Sequence, residues 1–256
     1  MSLNINLVRS RLPEREIVYF SSTDTTMREA AALAAQGCPS GTTVVADTQT
    51  AGLGRHGRTW YSEPGTGLYV SIVLRPAMPP DELPVLTLAL GLATAEAIAR
   101  AAGLACDLRW PNDVLIRDQK VAGILVQVAD DAVIAGICVN VNHRWFPGDL
   151  QADATSLALA SGGTHSREEL LVRLVESVDS FTRLLVEAGR RSILDLFAGQ
   201  STYASGRRVT VYQGGTTITG VTCGLDSSGF LMVRKDDGTV ETILAGGVRA
   251  AGAGRR

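Results

Sequence analysis

Cysteine and histidine are scarce in this 256-residue chain, and neither residue type forms a cluster. The cysteines lack the spacing of a zinc site and the density of a disulfide framework, which fits a reducing compartment. Both residue types are scattered along the sequence: Cys38, Cys106, Cys138, Cys223, His56, His143 and His165. No zinc site is therefore predicted, and His143 and His165 are expected at the surface.

The chain also lacks a large net charge and a long uninterrupted apolar segment. Its formal net charge is −2 at pH 7, so its overall electrostatics does not attract nucleic acid or an acidic membrane. The N-terminus has no apolar signal core, and the longest apolar run, residues 83–106, contains Glu96 and Arg100. These absences favour a cytoplasmic protein that binds neither DNA nor membrane.

The composition, 45% hydrophobic and 20% charged, leaves room for one sizeable core and a small second domain. Up to about residue 204, β-type segments alternate with helical patterns. Strands are predicted at Ile17 to Phe20, Thr42 to Asp47, Leu68 to Leu74, Asp113 to Arg117, Val121 to Val128 and Val133 to Val141. The last three form two antiparallel hairpins in this interpretation.

Three helices are predicted in the same part of the chain. Thr26 and Glu29 form a capping box, so the first helix begins at Thr25 or Thr26, and Gly37 ends it. The second, Leu83 to Gly103, is apolar on most faces, which is typical of a helix buried inside a fold. The third, Ser166 to Ala188, is amphipathic and begins with another capping box.

From Gly206 onward the sequence consists of short β-type segments, separated by turns rich in glycine and aspartate. About fifty residues of this kind form a small β-barrel or sandwich that needs a larger neighbour. The predicted fold is therefore α+β, a mixed sheet with flanking helices in residues 1–204, followed by a small C-terminal β domain in residues 205–256.

A glycine-rich segment, GLGRHG at residues 52–57, matches the G-x-G-x-x-G pattern of dinucleotide-binding loops. That fold requires a helix to begin at the third glycine and an acidic residue about 20 positions later. Here Pro64 and Gly65 prevent a continuous helix, and the next aspartate in the required region is Asp81. The nicotinamide interpretation fails, and a Walker phosphate loop fails because no Gly-Lys-Ser/Thr follows.

The same loop carries charged and aromatic side chains suited to an anionic ligand. Arginine forks fit phosphate or carboxylate, and glycines let the backbone approach a ligand closely. Arg55, His56 and Arg58 lie within the loop, and Trp60 after it can cover an apolar or purine face. A solvated surface loop is the alternative interpretation.

A second unusual segment, LRWPNDVLIRDQKVAGILVQ, covers residues 108–127. Trp-Pro-Asn-Asp is an unfavourable start for a strand, since proline lacks the backbone N–H that would donate to the neighbouring strand. Its presence there suggests that the side chains of the segment have a function. A tight turn at Asp118 puts Asp113 and Lys120 on one face, roughly 13 Å apart at the strand rise. The alternative is an edge-strand aspartate and a turn lysine, each solvated.

These two segments, followed by AGICVNVN at residues 135–142 and DATSLA at residues 153–158, resemble the catalytic domain of biotin protein ligases. The resemblance covers nearly the whole chain and implies a synthetase-like biotin/lipoate ligase fold with a small SH3-like barrel at the C-terminus. It resembles the ligase-only class, without the DNA-binding domain that some members carry.

The resemblance implies two sets of ligand-binding residues. Biotin is expected to contact Thr25, Thr26, Gln49, Leu53, Gly54, Arg55, Lys120, Gly123, Leu125 and Gly136. ATP and the adenylate are expected to contact Arg55, Arg58, Trp60, Asn112, Asp113, Lys120 and Asn140. Arg55, Lys120 and Asp113 are the expected catalytic residues, and Asp113 is also the candidate magnesium ligand.

Four positions depart from the family pattern. Leu53 stands where a basic residue is common, and Arg109 where lysine is common. Met27 takes a place often held by asparagine, and Cys138 takes the place of a glycine. Arg109 keeps the charge of lysine but not its point-donor chemistry.

The implied reaction has two steps. Biotin and ATP give biotinyl-5′-AMP and pyrophosphate with Mg²⁺ bridging the phosphates, and a lysine of a biotin carboxyl carrier protein domain then attacks the mixed anhydride. Asp113 either orients that lysine, accepts its proton or holds the metal. The glycine-rich loop is expected to be a mobile cover over the adenylate.

Two other functions stay open at this level. A lipoate or octanoate ligase or transferase resembles the same fold, but such transferases use a nucleophilic cysteine, and Cys138 is expected in the core. A non-catalytic biotin-binding regulator is the other alternative, against which the intact Arg55, Asp113 and Lys120 argue. Family members are monomers or homodimers, so either state is expected here.

Overall fold

The computed structural model describes residues 2–148, 150–213 and 215–251. Its larger sheet has seven strands in the order β1-β2-β3-β7-β6-β5-β4. β1 and β2 are parallel, and the other neighbours are antiparallel. The strands are β1 Ile17–Phe20, β2 Thr43–Ala46, β3 Leu68–Leu74, β4 Asp107–Arg109, β5 Asp113–Ile116, β6 Gln119–Ala129 and β7 Ala132–Val139. The predicted strands and both hairpins are confirmed, and the short β4 is an addition.

Seven helices lie in the described part of the chain, four more than the sequence predicted. They are α1 Ile5–Arg11, α2 Thr26–Ala35, α3 Leu83–Ala102, α4 Leu150–Asp153, α5 Leu157–Ser161, α6 Arg167–Ala188 and α7 Arg190–Gln200. Short 3-10 turns occur at Arg55–Gly57 and Pro80–Glu82. Ser166 caps α6 as predicted, its hydroxyl accepting from the Glu169 amide at 3.1 Å.

The sheet has a helix layer on each face. Successive strand residues point to opposite faces, so Val44 packs in the cluster beneath α2 whereas Val45 packs in the larger core beneath α3 and α6. By length and composition α3 could cross a membrane, but 67% of its most apolar window is buried inside the protein. Its hydrophobicity is therefore accounted for by its central place in the core, as predicted.

The start of α2 at Thr26 agrees with the prediction, but the predicted capping box does not form. Thr25, not Thr26, is the N-cap, and its hydroxyl accepts from the Met27 amide at 3.4 Å. Glu29 does not complete a capping box with Thr26, because its carboxylate accepts from the Thr23 hydroxyl at 2.7 Å. This shift leaves the hydroxyl of Thr26 free to turn into the interior, where Gln49 lies.

The smaller sheet is antiparallel, with strand order β11-β10-β9-β8-β12. Its strands are β8 Ser205–Gln213, β9 Thr216–Leu225, β10 Leu231–Arg234, β11 Val240–Ile243 and β12 Gly247–Ala250. The Gly229 carbonyl accepts from the indole N–H of Trp110 at 2.9 Å. A Cβ on Gly229 would lie 3.2 Å from Val85 and 3.3 Å from Leu88 of α3. The β domain thus packs closely on the larger domain beside the Trp-Pro-Asn-Asp segment.

Candidate active site

A small, partly open cavity of about 40 Å³ lies between the start of α2, the glycine-rich loop and strands β5 to β7. Sites for small-molecule ligands typically measure about 300–1,000 Å³, so the cavity in this state is much smaller than such a site. The lining residues are Thr25, Thr26, Met27, Gln49, Leu53, Gly54, Arg55, Trp60, Asn112, Lys120, Gly123, Ile124, Leu125, Gly136 and Cys138.

The end of the cavity near α2 is polar and largely buried. The Gln49 side-chain oxygen accepts from the Thr26 amide at 2.9 Å and from the Thr26 hydroxyl at 3.2 Å, and that hydroxyl lies 2.8 Å from the Ser71 hydroxyl. The Gln49 amide nitrogen has only long contacts, 3.5 Å to Ser62 Oγ and 3.8 Å to Cys138 Sγ. Its N–H groups therefore have hydrogen-bonding capacity left for a polar ligand.

Two glycines form the flat wall of the cavity. A Cβ on Gly123 would lie 2.8 Å from the Trp60 ring and 3.0 Å from Lys120 Nζ, and a Cβ on Gly136 would lie 2.4 Å from the Met27 sulfur. The contacts at 2.8 Å and 2.4 Å are shorter than packed atoms allow, so larger residues would displace the neighbours. The two strand glycines that the resemblance assigned to biotin are thus places where a side chain fits only if its neighbours move.

The glycine-rich loop folds as a small hairpin over the cavity. The Gly54 amide donates to the Arg58 carbonyl at 2.7 Å, the Trp60 amide donates to Gly52 at 2.9 Å, and the tip residue His56 has a φ of 56°. This turn directs the Arg55 guanidinium inward while Arg58 stays exposed. The loop contains only the short 3-10 turn Arg55–Gly57 and no α-helix begins at Gly57, as the rejection of a dinucleotide fold predicted.

Arg55 joins the loop to two other segments. Its Nη1 donates to the Asn112 side-chain oxygen at 3.1 Å and to the Gly246 carbonyl at 3.4 Å. Asn112 is fixed in turn, because its amide nitrogen donates to the Ile124 carbonyl at 2.8 Å. The guanidinium therefore lies where the loop, the β5–β6 hairpin and the C-terminal sheet meet.

Trp60 covers the other side of the cavity. Lys120 Nζ lies 5.3 Å from the centre of its ring, a cation–π distance. The indole N–H is buried and has no hydrogen-bond partner in the described structure. An unpaired buried donor costs about 1–3 kcal/mol, so the ring is suited to a ligand that supplies an acceptor.

Asp113 lies between two cations. Lys120 Nζ is 2.5 Å from its Oδ1, and Arg109 donates to its Oδ2 from Nε at 3.2 Å and from Nη2 at 2.8 Å. Burial raises the pKa of Asp113, but Lys120 first and then Arg109 outweigh burial and lower it to about 2. The carboxylate is therefore ionised throughout the neutral range.

This contact corrects the predicted separation of roughly 13 Å, which was measured along the strands. In the observed register Leu115 pairs with Lys120 and Asp113 pairs with Gly123, with an irregularity between the two pairs. The long lysine side chain extends back along the hairpin and reaches the carboxylate. The two groups act as one ion pair, not as separate ends of a ligand site.

The segments that form the cavity lie within a part of the chain that matches a known family. A model of the biotin/lipoate A/B protein ligase family matches residues 19–143, and a model of the biotin protein ligase C-terminal domain matches residues 204–248. The bifunctional ligase/repressor BirA of Bacillus spizizenii is 35% identical over 242 residues, covering 90% of this chain and 73% of BirA. The biotin–(acetyl-CoA-carboxylase) ligase of Mycobacterium tuberculosis is 31% identical over 252 residues, covering 96% and 93%.

The chain belongs to the biotin protein ligase family.

A solved structure supports the same family fold. The biotin protein ligase of Aquifex aeolicus, in complex with biotin and ATP, has a TM-score of 0.82 against this chain at 29% identity, covering 92% of this chain and 99% of that one. The predicted fold class is therefore confirmed, including the C-terminal β domain, whose family model begins beside β8.

Most of the site residues that the family resemblance assigned meet in one cavity. All ten residues assigned to biotin line it, and so do Arg55, Trp60, Asn112 and Lys120 of the adenylate set. Arg58 is exposed on the outer side of the loop, and Asp113 acts through Lys120. Asn140 lies deeper, where its side chain donates to the Thr155 carbonyl at 3.0 Å. Their roles as ligand contacts stay predictions.

Three lining residues were not in the assigned sets, namely Met27, Ile124 and Cys138. Met27 follows Thr26 directly in α2. Cys138 is two residues from Gly136, so Gly136 and Cys138 lie on the same face of β7. Cys138 was expected in the core, but it forms part of the cavity wall. Burial raises its pKa to about 12, so it is a neutral thiol, not a nucleophile of the transferase type.

His143 was expected at the surface, and that prediction was wrong. The ring is fully buried, stacked on Phe146 at 5.2 Å and tilted against Tyr61 at 5.9 Å. Neither ring nitrogen has a hydrogen-bond partner in the described structure. Burial lowers its pKa to about 4, so the ring is neutral at physiological pH. The aromatic neighbours replace water around it.

Metal-binding side chains are sparse. Within the described residues, no group of three or more histidine, cysteine, aspartate or glutamate side chains could hold a metal ion. Asp113 is the carboxylate next to the cavity, and both of its oxygens are in ion pairs. A magnesium ion in such a site is typically held by one or two carboxylates together with substrate phosphates.

Proposed function

We propose that this protein activates biotin with ATP to biotinyl-5′-AMP and transfers the biotinyl group to a lysine of a biotin carboxyl carrier domain. The observation that carries the proposal is the convergence of Arg55 and Lys120 on one cavity that the polar Thr26–Gln49 pair also lines. Membership of the biotin protein ligase family and the likeness to a biotin- and ATP-bound ligase support it.

The cavity has the polarity that biotin requires. The ureido group needs donors and acceptors, which the Thr26–Gln49 end supplies, and the carboxylate needs cations, which Arg55 and Lys120 supply at the other end. The present volume of about 40 Å³ is too small for the substrate. Entry therefore requires the loop hairpin and Trp60 to move away from Gly123.

In the first step the biotin carboxylate attacks the α-phosphorus of ATP and pyrophosphate leaves. Two anionic groups must meet, so the main demand on the protein is to cancel their repulsion and align them. Arg55 of the loop and Lys120 of β6 both line the cavity and meet this demand. When Lys120 turns toward the phosphate, Arg109 remains on Asp113 and keeps that carboxylate paired.

In the second step a carrier lysine attacks the acyl carbon, an amide forms and AMP leaves. The amine must lose a proton, and Asp113 was one candidate to accept it. Asp113 is ion-paired with Lys120 and Arg109, and while both contacts last its pKa of about 2 makes it a weak base at neutral pH, so these contacts favour Asp113 as the group that orients cations at the reaction centre. We assign it that role and not proton acceptance.

Magnesium fits this site only together with the nucleotide. The phosphates provide most ligands of such an ion, and Asp113 can provide one oxygen after Lys120 has moved. When bound, the ion neutralises phosphate charge and supports departure of pyrophosphate.

The test is to incubate the purified protein with biotin, ATP and magnesium, and to measure biotinyl-AMP and pyrophosphate. A carrier domain is added in a second step, and its biotinylation is followed by mass spectrometry. Lipoate and octanoate in place of biotin separate the related acid ligases. Absence of the biotin adenylate, or preference for lipoate, would refute the proposal, and an adenylate that never reaches the carrier would favour a regulator.

A further inference from the structure

Arg109 departs from the lysine common in its family, and its contacts in this chain reach beyond Asp113. Two of its N–H groups donate to Asp113 Oδ2, and 15% of its side chain is exposed. Its guanidinium carbon lies 5.8 Å from the ring centre of Tyr203. A lysine could make the ion pair but could not present a planar face to an aromatic ring while forming two directed bonds.

Tyr203 lies just before the C-terminal β domain, and a second cation, in addition to Arg109, packs on its ring. Its ring is buried, and the Arg207 guanidinium carbon lies 3.9 Å from the ring centre. Its hydroxyl donates to Asp118 at 3.1 Å, and Arg207 donates to the same Asp118 oxygen at 2.7 Å. The tyrosine thus joins Arg109, Arg207 and Asp118 in one cluster.

The cluster holds both ends of β5. Arg109 binds Asp113, the first residue of the strand, and Tyr203 binds Asp118 in the turn that follows it. That turn has two consecutive left-handed residues, Arg117 with φ 51° and Asp118 with φ 64°. A conformation of this kind persists where surrounding contacts favour it, and it sets the register that brings Lys120 back to Asp113.

We propose that Arg109, Tyr203 and Arg207 are positioning residues through which the C-terminal β domain aligns the Asp113–Lys120 pair for adenylate formation. The inference rests on the proposed function and goes beyond it. The β domain acts on the reaction centre through the β5–β6 hairpin as well as through its contact with Arg55. None of the three touches the substrates; each acts through Asp113 or Asp118.

The exposed neighbour Arg208 offers a matched control. It follows Arg207 directly in β8, and both arginines form an ion pair with an aspartate. Arg208 pairs with Asp236, and both residues lie on the surface of the β domain. Arg207 instead pairs with Asp118 of the hairpin. Arg207→Gln and Arg208→Gln therefore each remove one positive charge and one ion pair with an aspartate, but only Arg207→Gln also removes the contact with Tyr203 and the link to the hairpin.

The experiment measures biotin-dependent exchange of pyrophosphate into ATP, with kcat and KM determined separately, for the parent and for Arg207→Gln, Arg208→Gln, Tyr203→Phe and Tyr203→Leu. We expect kcat to fall about tenfold in Arg207→Gln and Tyr203→Leu and less in Tyr203→Phe, which keeps the ring. The KM for biotin should stay near that of the parent. Arg208→Gln should match the parent in both constants.

Variants of Arg109 separate positioning from folding support. In Arg109→Gln both bonds to Asp113 are weakened or lost, so kcat should fall while the KM for biotin stays near that of the parent; Arg109→Lys, which keeps the charge, should restore part of kcat. Parent-like kcat in all variants, with changes only in the urea midpoint, would overturn the proposal. Loss of exchange in the parent would instead refute the proposed function.

Discussion

The Arg55 guanidinium donates to the carbonyl of Gly246, 191 residues later in the chain, at 3.4 Å. Gly246 lies just before β12, and its φ of 127° is a value that residues with a Cβ rarely adopt. A side chain there would also meet the Tyr212 carbonyl at 2.4 Å. The cover of the cavity and the C-terminal sheet are thus connected through one side chain.

Arg55→Gly should uncouple the retention of the adenylate from its formation. Loss of a charge-stabilising group costs about 3 kcal/mol, or a hundredfold in rate, but Lys120 remains to support the first step. Adenylate formation should therefore persist at a reduced rate while the intermediate escapes into solution. Rapid gel filtration after a single turnover measures the fraction retained. Arg191→Gln, on the exposed surface of α7, is the control; retention equal to that control would contradict the role of Arg55.

Gly123→Ala should weaken biotin binding without unfolding the protein. The added methyl group would lie 2.8 Å from the Trp60 ring and 3.0 Å from Lys120, so the cavity can only form if both shift. We expect the KM for biotin to rise at least about tenfold, which corresponds to roughly 1.4 kcal/mol. Gly199→Ala in α7 meets nothing within 4 Å and should leave KM unchanged while adding about 0.5–1 kcal/mol of stability. Equal KM values in the two variants would refute the wall assignment.

Buried His143 should make the protein less stable in mild acid. The pKa of His143 is about 4 in the folded protein and near 6.5 in the unfolded chain. The contribution of its neutral form to the free energy of unfolding is therefore fully present above pH 6.5 and decreases as pH falls toward 4. The full loss from this group is about 3 kcal/mol. Urea unfolding at pH 7.5 and pH 5.0 measures the difference. His143→Phe keeps the aromatic packing and removes the titration, so a pH dependence as steep as in the parent would exclude His143 as its source.

Self-labelling should be confined to very few positions. The chain contains lysine only at positions 120 and 235, and its other basic side chains are arginines, which do not act as amine acceptors at neutral pH. Lys235 is partly exposed beside Glu241. When Arg55→Gly is incubated with biotin and ATP without a carrier, peptide mass spectrometry should find biotin on Lys235 and the N-terminal amine. Comparable labelling of Lys120 would show that its amine is accessible and reactive.

The sequence was informative where local pattern and motif agree. The strands of both hairpins, the buried helix α3 and the amphipathic helix α6 follow from periodicity and caps, because these depend on neighbours along the chain. The cavity residues were found through the glycine-rich loop and the Trp-Pro-Asn-Asp segment together. Neither motif alone places Arg55 against Asn112, since that contact joins residues 57 positions apart.

The errors concern contacts between distant segments. Thr26 was taken as a cap because its sequence fits one, but Gln49 in another segment binds its hydroxyl. His143 looked like a surface residue because the aromatic side chains around it include Tyr61, far away in sequence. Helix α1 is only seven residues long, and it is stabilised by packing that local propensity does not report.

On the proposed function, the Asp113–Lys120 ion pair also affects which amine the activated acid modifies. Lys120 Nζ is the lysine amine that lines the cavity where the reactive anhydride would form. Its contact with Asp113 at 2.5 Å directs it toward that carboxylate and not toward an acyl carbon. The ion pair would thereby disfavour acylation of Lys120. The acyl group is left for an amine that arrives from outside.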